Sequence, residues 1–541
     1  MEIKLPDNVQ SMDISPRGAW IIFATLLFST FVTIEAAAFQ SPAMPKITRH
    51  FGIPVSGAAL ITTLYYMGAI VFAPIMGRLA DRTGRKQMVM TGLLIFTISE
   101  CAAVFSPTFP LFLAARFLQG FGVACIFPVI LAYIGALFSN KQRGMALGIL
   151  TFAMMVGATS GGAVAGMMIA RFGWPSIYWV SGGLGLLGLA LVAVFVPYST
   201  PVQQARSRFD LKGAVLLFLA IGGLLSTPTW AGNYGMTSPQ AIGALAVTVA
   251  AMLALWFVEQ RVEAPAVEVT LLRIRSFTLP ALIFVLYGMC YASVLYSLAF
   301  FVVERPGGSP AQFGLVTMLL FGTGMVAAPL SGRLVDRMDP RRIVLIALSA
   351  ALGVLLMLST FSNATPLWFI IATVMLLGFA NGMKTPASMK IALNAIPPAR
   401  LGAGSGLLTM LRDVGSPAGA AFGLAVFGAT VGSRTGGAAE TIARAAGLDG
   451  PLLAQVAATA ASQGKKITPE LVAELQRHGL DIAGVLKAAK EQAMSSAMPE
   501  VAYVLMALIG ACFVLAFMLP RQSAATKPED GFAASARSNA A

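Results

Sequence analysis

Ionisable side chains stand inside several long apolar segments of this sequence, where a charge is costly. They are Glu35, Glu100, Arg116, Lys384 and Asp413. On insertion scales, one charged side chain at the centre of a membrane helix costs about 2.5–3.5 kcal/mol. Residues kept there at that cost mark pathways for protons, ions or substrates. These positions are therefore the first candidates for function.

Glu35 is the first candidate for proton coupling, because sequence position alone places no basic residue beside it. A carboxyl group in a poorly hydrated cavity can take up and release protons near neutral pH. The alternatives for Glu35 are an ion pair with another helix or a position that reaches outer water. Asp413 is the second candidate; its alternative is a salt bridge to Lys384, which lies about equally far from the turn near Pro397. Arg412 adjoins Asp413 but points about 100° away around the helix.

Glu100 and Arg116 are expected to lie at the same depth. Glu100 is six residues before the turn at Ser106–Pro110, and Arg116 is six residues after it. The two side chains would then either neutralise each other as a structural pair or serve as a proton relay. Glu100 is therefore the third candidate for proton coupling.

The composition excludes a soluble fold. Of the 541 residues, 57% are hydrophobic and 11% are charged, and the mean hydropathy is +0.78. A soluble protein of this size carries about a quarter charged residues. The net charge is +14, but the basic residues form short clusters between apolar runs. That pattern indicates loops at a membrane surface and excludes a nucleic-acid partner, so the expected surroundings are a lipid bilayer.

Apolar runs of about 20 residues, long enough to cross a membrane, occur at roughly fourteen places. Their backbone polar groups must be satisfied internally, so the runs are predicted to be helices. The first run also resembles a cleavable signal peptide, but its length, Glu35 and the many later runs favour a retained helix. The runs lie near 19–39, 55–76, 87–105, 109–138, 145–170, 177–197, 211–231, 239–258, 277–303, 312–332, 342–361, 366–394, 403–431 and 500–519.

Basic residues predict the orientation. Short loops on one side hold most of the Arg and Lys residues, whereas the short loops of the other side hold only Lys46, Arg49, Arg171 and Arg305. Since basic loops stay in the cytoplasm, both termini are predicted to be cytoplasmic, in a bacterial inner membrane. The long connection 432–498 then lies outside. It is either a solvated cap or a docking surface for a partner, with helices predicted from Thr468 and after Asp481.

The chain contains an internal repeat. GRLADRTGRK from Gly77 recurs as GRLVDRMDPR from Gly332, and Gly120 and Gly378 each precede a proline by eight positions. Two similar six-helix bundles with two inserted helices are therefore predicted. The expected segments are a cytoplasmic N-terminus (1–17), an N-terminal bundle (18–198), a linker with two helices (199–276), five helices of a C-terminal bundle (277–431), an outer loop (432–498), a last helix (499–520) and a cytoplasmic tail (521–541).

These patterns resemble the major facilitator superfamily, and within it the fourteen-span drug:proton antiporter family. GRLADRTGRK is similar to the superfamily's loop signature, ARFLQGFG around Arg116 to its fourth-helix motif, EAPAVEVTLLRIRSFT to the family's linker, and LRDVGSPAGAAFG around Arg412 to its thirteenth-span pattern. The resemblance implies an all-α fold of two pseudo-symmetric bundles that rock around cargo bound near mid-membrane. It also implies that the two loop signatures latch the outward-open state through Gly77, Asp81, Arg85, Gly332 and Asp336; the alternative is that their charges only fix the topology.

The sequence departs from the family at three places. Glu35 is about one position out of register with the Asp of exporters, GATSGG from Gly157 lacks the usual proline, and Leu60 stands near the place of a Trp, although Tyr65 is retained. The glycine motif is the one associated with antiport, so the direction of transport stays open. The candidates for the substrate cavity are Tyr65, Arg116, Lys384 and Arg412.

Motifs of enzyme chemistry are missing. The sequence has no GxxxxGK[ST], HExxH, GxSxG or CxxC string. A GxGxxG string at 183–188 lies within an apolar run, where small residues for helix packing explain it. The cysteines also lie in apolar runs and behave as small hydrophobic residues. We expect no enzyme activity, no cofactor and no metal.

The favoured hypothesis is a proton-driven secondary transporter that exports small amphipathic or aromatic compounds, with a periplasmic adaptor protein as a further partner. The alternative is an uptake permease for a planar vitamin such as riboflavin. A membrane sensor or scaffold that transports nothing is a third hypothesis, and the two loop signatures argue against it. Deletion phenotypes separate these hypotheses, because an exporter protects against drugs and a permease supplies a nutrient.

Overall fold

The computed structural model describes residues 15–53, 58–198, 210–234, 238–262, 267–445, 451–461, 475 and 481–521. These residues form helices joined by short turns and contain no β-strand. The first bundle and the inserted pair comprise α1 (Pro16–His50), α2 (Ala58–Thr83), α3 (Arg85–Val104), α4 (Phe109–Leu137), α5 (Asn140–Phe172), α6 (Pro175–Phe195), α7 (Leu211–Tyr234) and α8 (Pro239–Glu259).

The second bundle follows a short linker that contains the 3-10 helix Val269–Arg273. Another 3-10 turn, Pro398–Arg400, precedes the longest helix. The α-helices of this part are α9 (Arg275–Glu304), α10 (Pro310–Arg337), α11 (Pro340–Leu358), α12 (Leu367–Asn394), α13 (Leu401–Ala445), α14 (Pro451–Ala461) and α15 (Ile482–Phe517).

Helices stand at all fourteen places where the sequence predicts a span. Among the described residues, twelve of them are long and apolar enough to cross a membrane. The other two are α7, whose apolar part is Lys212–Thr227, and α13, which carries Arg412 and Asp413. The predicted fold class, an all-α membrane protein, is confirmed.

Several helix starts follow directly from the local sequence. A Ser or Asp followed by Pro supplies a side-chain acceptor for a free backbone N–H, and the proline tolerates the first helical position. The acceptor oxygens lie 3.0–3.3 Å from backbone nitrogens one turn or less ahead, at Ser15, Ser238, Ser309 and Asp339.

The internal repeat is visible in the helix crossings. A Cβ at Gly120 of α4 would lie 2.0 Å from the carbonyl oxygen of Tyr65 in α2, and a Cβ at Gly378 of α12 would lie 1.9 Å from that of Leu320 in α10. Tyr65 precedes the first loop signature by the same twelve positions by which Leu320 precedes the second. Each half therefore packs its second and fourth helices through the same contact.

Among the described residues, a shared hydrophobic cluster joins the two halves at one end of the molecule and not at the other. One buried cluster combines residues of the first bundle, such as Ile134 and Leu147, with Phe277, Leu393 and Leu407 of the second. At the opposite end, the cluster around Phe39, Phe112 and Trp174 contains residues of the first bundle alone. We call the joined end, where α2 ends at Thr83 and α10 ends at Arg337, the signature face.

Helices α13 and α15 continue beyond the expected spans on the opposite face. The end of α13, all of α14 and the start of α15 share a small apolar core that includes Ala439, Val456 and Val485. The helix predicted after Asp481 is present, and Asp481 accepts a hydrogen bond of 3.1 Å from the backbone N–H of Gly484. The helix predicted from Thr468 lies outside the described residues. We call these three parts together, the end of α13, all of α14 and the start of α15, the cap.

Candidate functional site

The first loop signature closes the signature face through Asp81 at the end of α2. Its carboxylate accepts hydrogen bonds from the backbone N–H groups of Gly402 (2.8 Å) and Ala403 (3.2 Å) at the start of α13. Arg85 lies 3.5 Å from the same carboxylate. A carboxylate at a helix N-terminus satisfies free backbone donors and interacts favourably with the helix dipole. Asp81 therefore joins the first bundle to the second.

The second signature repeats this contact with the halves exchanged. The carboxylate of Asp336 in α10 accepts hydrogen bonds of 2.8 Å each from the backbone N–H groups of Gly144 and Met145 at the start of α5. The buried ammonium group of Lys390 lies 2.7 Å from Asp336. Two pseudo-symmetric aspartate clasps thus hold the signature face closed.

Glycines allow the helices to approach closely enough for these clasps. A Cβ at Gly77 would lie 2.2 Å from the carbonyl oxygen of Gly402, and one at Gly332 would lie 2.5 Å from that of Gly144. The partner glycines of α5 and α13 were not among the candidates. Their signal was present as small residues four positions apart, Gly144 with Gly148 and Gly402 with Gly406, a spacing typical of close helix packing.

A third connection on this face comes from the linker. The carboxylate of Glu268 lies 2.6 Å from Arg78 of α2 and 3.1 Å from Arg400, next to the start of α13. Thr270 donates a hydrogen bond of 2.7 Å to the same carboxylate. Glu268 was also missed as a functional residue, although it lies in the linker motif EAPAVEVTLLRIRSFT.

Glu35 lies in α1 where this helix meets α5. It is 5% exposed, and its Oε2 atom has no hydrogen-bond partner among the described residues. A Cβ at Gly157 would lie 3.3 Å from the backbone nitrogen of Glu35. The acidic residue and the glycine motif GATSGG, which are separated by more than 120 positions, therefore meet in the fold. No ion pair of Glu35 is present in the described part of the chain.

Glu100 and Arg116 are both buried, but their contact is indirect. Arg116 donates a hydrogen bond to the side-chain oxygen of Gln119, and the amide nitrogen of Gln119 donates to Glu100. The guanidinium carbon of Arg116 lies 4.9 Å from the centre of the Tyr65 ring. Gln119, one turn beyond Arg116 on α4, is thus an unpredicted member of this cluster.

Arg412 and Asp413 form an ion pair, which corrects the expected divergence of their side chains. Nε and Nη2 of Arg412 lie 2.7 and 2.9 Å from the two oxygens of Asp413. The long arginine side chain bends back along the helix surface, so the angle between Cβ directions does not decide the contact. The salt bridge expected as an alternative between Asp413 and Lys384 does not form.

Lys384 instead lies among aromatic rings. Its Nζ atom is 4.2 Å from the ring centre of Phe284 and 4.3 Å from that of Tyr287, both on α9. The guanidinium carbon of Arg412 lies 3.8 Å from the ring centre of Phe127 on α4. The structure thus brings two cations and three rings together at the boundary of the halves.

These residues share a depth near the membrane centre. Lys384 is ten residues from the end of α12, and Arg412 is eleven residues from the start of α13. At 1.5 Å per residue, both lie about 15 Å from the signature face. A hydrocarbon core is about 30 Å thick, so the predicted level near mid-membrane agrees with the geometry. In the described ranges, no group of three or more His, Cys, Asp or Glu residues could hold a metal ion.

Comparison with known proteins gives consistent matches. A family model described as Major Facilitator Superfamily matches residues 26–420. The multidrug resistance protein Stp of Mycobacterium tuberculosis is 30% identical over 404 residues, 74% of each chain. The riboflavin transporter RibZ of Clostridioides difficile is 24% identical over 406 residues, 75% of this chain and 88% of its own. The solved human organic anion transporter MFSD10 has a TM-score of 0.58 at 15% identity, covering 91% of this chain and 99% of its own, which supports the fold alone.

Proposed function

The chain belongs to the major facilitator superfamily, a family of membrane transporters, and on this basis we propose that it is a proton-driven exporter of small amphipathic or aromatic compounds. The transporter moves small molecules across a membrane, as its relatives do. Export is supported by the similarity to the Mycobacterium relative, which is a multidrug resistance protein. The alternative, uptake of a planar vitamin, is favoured by the match to a riboflavin transporter and by the glycine motif that lacks its usual proline.

The observation that carries proton coupling is the isolated carboxyl group of Glu35. It is buried, one of its oxygens has no partner in the described chain, and it lies against Gly157 in the motif associated with antiport. Protonation of Glu35 would neutralise a buried carboxylate. It would therefore change the free-energy difference between the inward-open and outward-open conformations. Asp413, paired with Arg412, and Glu100, bonded to Gln119, are the second and third candidates.

The closed signature face supports an alternating-access cycle. In the proposed orientation this face is cytoplasmic, so the conformation is closed to the cytoplasm, as an outward-open state requires. The clasps at Asp81 and Asp336 would have to break for cargo to enter from the cytoplasm, while Tyr65, Arg116, Lys384 and Arg412 would contact cargo in the cavity. The segments expected from the sequence, with bundles at 18–198 and 277–431, are retained in this proposal, and the outer segment 432–498 contains the helices of the cap.

Location and partners complete the proposal. We place the protein in the inner membrane of a bacterium with both termini in the cytoplasm, as its basic loops predict. The cap would then face the periplasm, where an adaptor protein of an efflux assembly would contact it. A reporter enzyme that is active only in the periplasm can be fused to the C-terminus. Activity of this fusion would contradict the proposed orientation.

Direction is tested in an efflux-deficient bacterium. Expression of the chain should raise resistance to at least one of a set of cationic, neutral and anionic aromatic dyes, and inside-out vesicles should accumulate that dye when an acid-inside proton gradient is imposed. The vesicle signal should disappear when the gradient is collapsed. Growth rescue of a riboflavin auxotroph at low riboflavin, without any change in dye resistance, would replace export by uptake.

A further inference from the structure

The environment of Lys384 is unusual for a buried ammonium group. The residue is 3% exposed, and its Nζ atom makes no hydrogen bond or ion pair with any residue that the structure describes. The Phe284 and Tyr287 rings attract it through their negative faces. Rings compensate a buried charge only partly, and such charges are normally paired. The site therefore retains the capacity to bind an anion.

Arg412 contributes a second cation to the same place. Two of its nitrogens bind Asp413, whereas the buried Nη1 atom has no partner in the described residues. Lys384 and Arg412 lie close enough to interact electrostatically. Asp413 is the one acidic residue that pairs with either of them among the described residues. The cluster therefore contains two basic side chains and one carboxylate.

The surfaces around these cations suit an aromatic molecule. Phe127 of the first half and Phe284 and Tyr287 of the second lie beside the two cations. The buried Tyr287 hydroxyl also lacks a hydrogen-bond partner in the described chain. Flat rings, an unpartnered hydroxyl and two cations together match a planar ring system that carries an acidic substituent.

The position of the cluster fits a transport site. It lies at the boundary of the halves, with Phe127 on α4 and the others on α9, α12 and α13. Rocking of the halves would separate Phe127 from Arg412 and change the surroundings of both cations. A permanent structural anion site would have no reason to lie at a moving boundary.

We propose that Lys384 and Arg412 bind the acid group of the cargo, so that this transporter carries aromatic carboxylates or closely similar anions. The inference rests on the proposed transport function and adds the charge of the substrate to it. Desolvated, charge-assisted hydrogen bonds are the strong ones, and they give specificity for an ionised group.

The test compares three naphthalene compounds that share a ring and differ in charge: 1-naphthoate, 1-naphthamide and 1-naphthylmethylammonium. Binding to the purified full-length protein in uncharged detergent is measured by isothermal titration calorimetry. We expect 1-naphthoate to bind at least about tenfold more tightly than the amide, the size of one hydrogen bond to a charged group. Equal affinities, a preference for the ammonium compound or no binding of any of the three would overturn the proposal.

Two variants connect the preference to the site. Lys384→Met keeps the length and apolar part of the side chain, and it should reduce 1-naphthoate affinity to that of the amide while leaving the amide unchanged. Arg412→Gln should reduce it by a similar factor, which keeps the test decisive if the first variant does not fold. Lys141→Met, which removes an exposed charge, should bind as the wild type does. If both site variants still bind 1-naphthoate more tightly than 1-naphthamide, the proposal is wrong.

A lipid headgroup is the competing source of an anion. Phosphatidylglycerol added to the detergent should leave 1-naphthoate binding unchanged. Competitive displacement that disappears in Lys384→Met would assign the site to lipid and overturn the cargo proposal. Because these measurements need no gradient, failure to export any of the cationic, neutral or anionic dyes in cells would refute the proposed direction without affecting the charge preference, and loss of the charge preference would leave export intact.

Discussion

Asp81 and Gly402 face each other across the two halves, and the carboxylate of the first accepts a 2.8 Å hydrogen bond from the backbone N–H of the second. Asp336 and Gly144 form the same bond at 2.8 Å with the halves exchanged. The loop signatures recognised in the sequence are thus one half of each contact, and helix N-termini supply the other half.

Removing either aspartate should open the signature face. Asp81→Asn or Asp336→Asn weakens bonds of the charge-assisted type, worth about 1.5–3 kcal/mol, so the closed state should lose about tenfold or more in population. The measurement uses a cysteine introduced at Ser405 of α13, a buried residue whose hydroxyl donates to the carbonyl oxygen of Pro128 on α4. With the four native cysteines replaced, the rate at which a membrane-impermeant maleimide labels it from the signature face is recorded. Asp339→Asn is the control, because Asp339 caps α11 and makes no contact between the halves in the described structure. Equal labelling of all four proteins would refute the clasp.

Glycine at the clasp crossings should be required for closure. Gly77→Ala places a methyl group 2.2 Å from a backbone oxygen, so α2 and α13 must separate and transport should fall at least about tenfold. Gly183→Ala, within the GxGxxG string, should be tolerated because its Cβ would meet no atom within 4 Å. Dye transport in vesicles, normalised to the amount of protein, measures both. Similar rates for the two variants would contradict the crossing geometry.

Glu35→Gln should preserve folding and remove the pH dependence of transport. The amide has nearly the same shape and carries no charge or exchangeable acidic proton. The variant should therefore bind dye but transport it at a rate that no longer changes with external pH. Asp413→Asn is measured in parallel. If Glu35→Gln keeps the wild-type pH profile and Asp413→Asn loses it, the coupling role belongs to Asp413.

The linker carboxylate Glu268 should favour closure more weakly than the aspartate clasps. Glu268→Gln removes the charge that joins Arg78 and Arg400, and partly exposed ion pairs are worth about 0–1 kcal/mol. Labelling at Ser405 should increase less than in Asp81→Asn, and the difference from wild type should shrink at high salt. Glu440→Gln is the matched control, since Glu440 pairs only with Arg444 on its own helix in the described structure. No change in labelling at low salt would exclude a role in closure.

The fold and its internal repeat could be predicted because they depend on patterns spread over many residues. Apolar runs of fixed length predict helices in lipid, and the two signatures predict the duplication that Gly120 and Gly378 display. Helix ends were less predictable. An amphipathic sequence can form a helix outside the membrane, so the ends of the apolar runs did not mark the ends of α13 and α15, which continue into the cap.

Side-chain partners could not be predicted at this level. The bend of Arg412 toward Asp413 depends on rotamers, and Gln119 joins Glu100 to Arg116 only after α3 and α4 are packed. Lys384 meets Phe284 and Tyr287 because α9 lies beside α12, which the sequence order does not state. Glu268 was overlooked because a charged linker residue has many solvated alternatives.

The continuity of α13 and α15 has a mechanical consequence. Both helices belong to the second half, and the cap is fastened to the same half where Arg434 pairs with Glu500 and Asn363 bonds to the backbone of Glu491. When the second half rotates, the ends of α13 and α15 in the cap move farther than the parts of the same helices inside the bundle. A molecule that binds the cap would therefore slow the conformational change or favour one conformation without contacting the cargo.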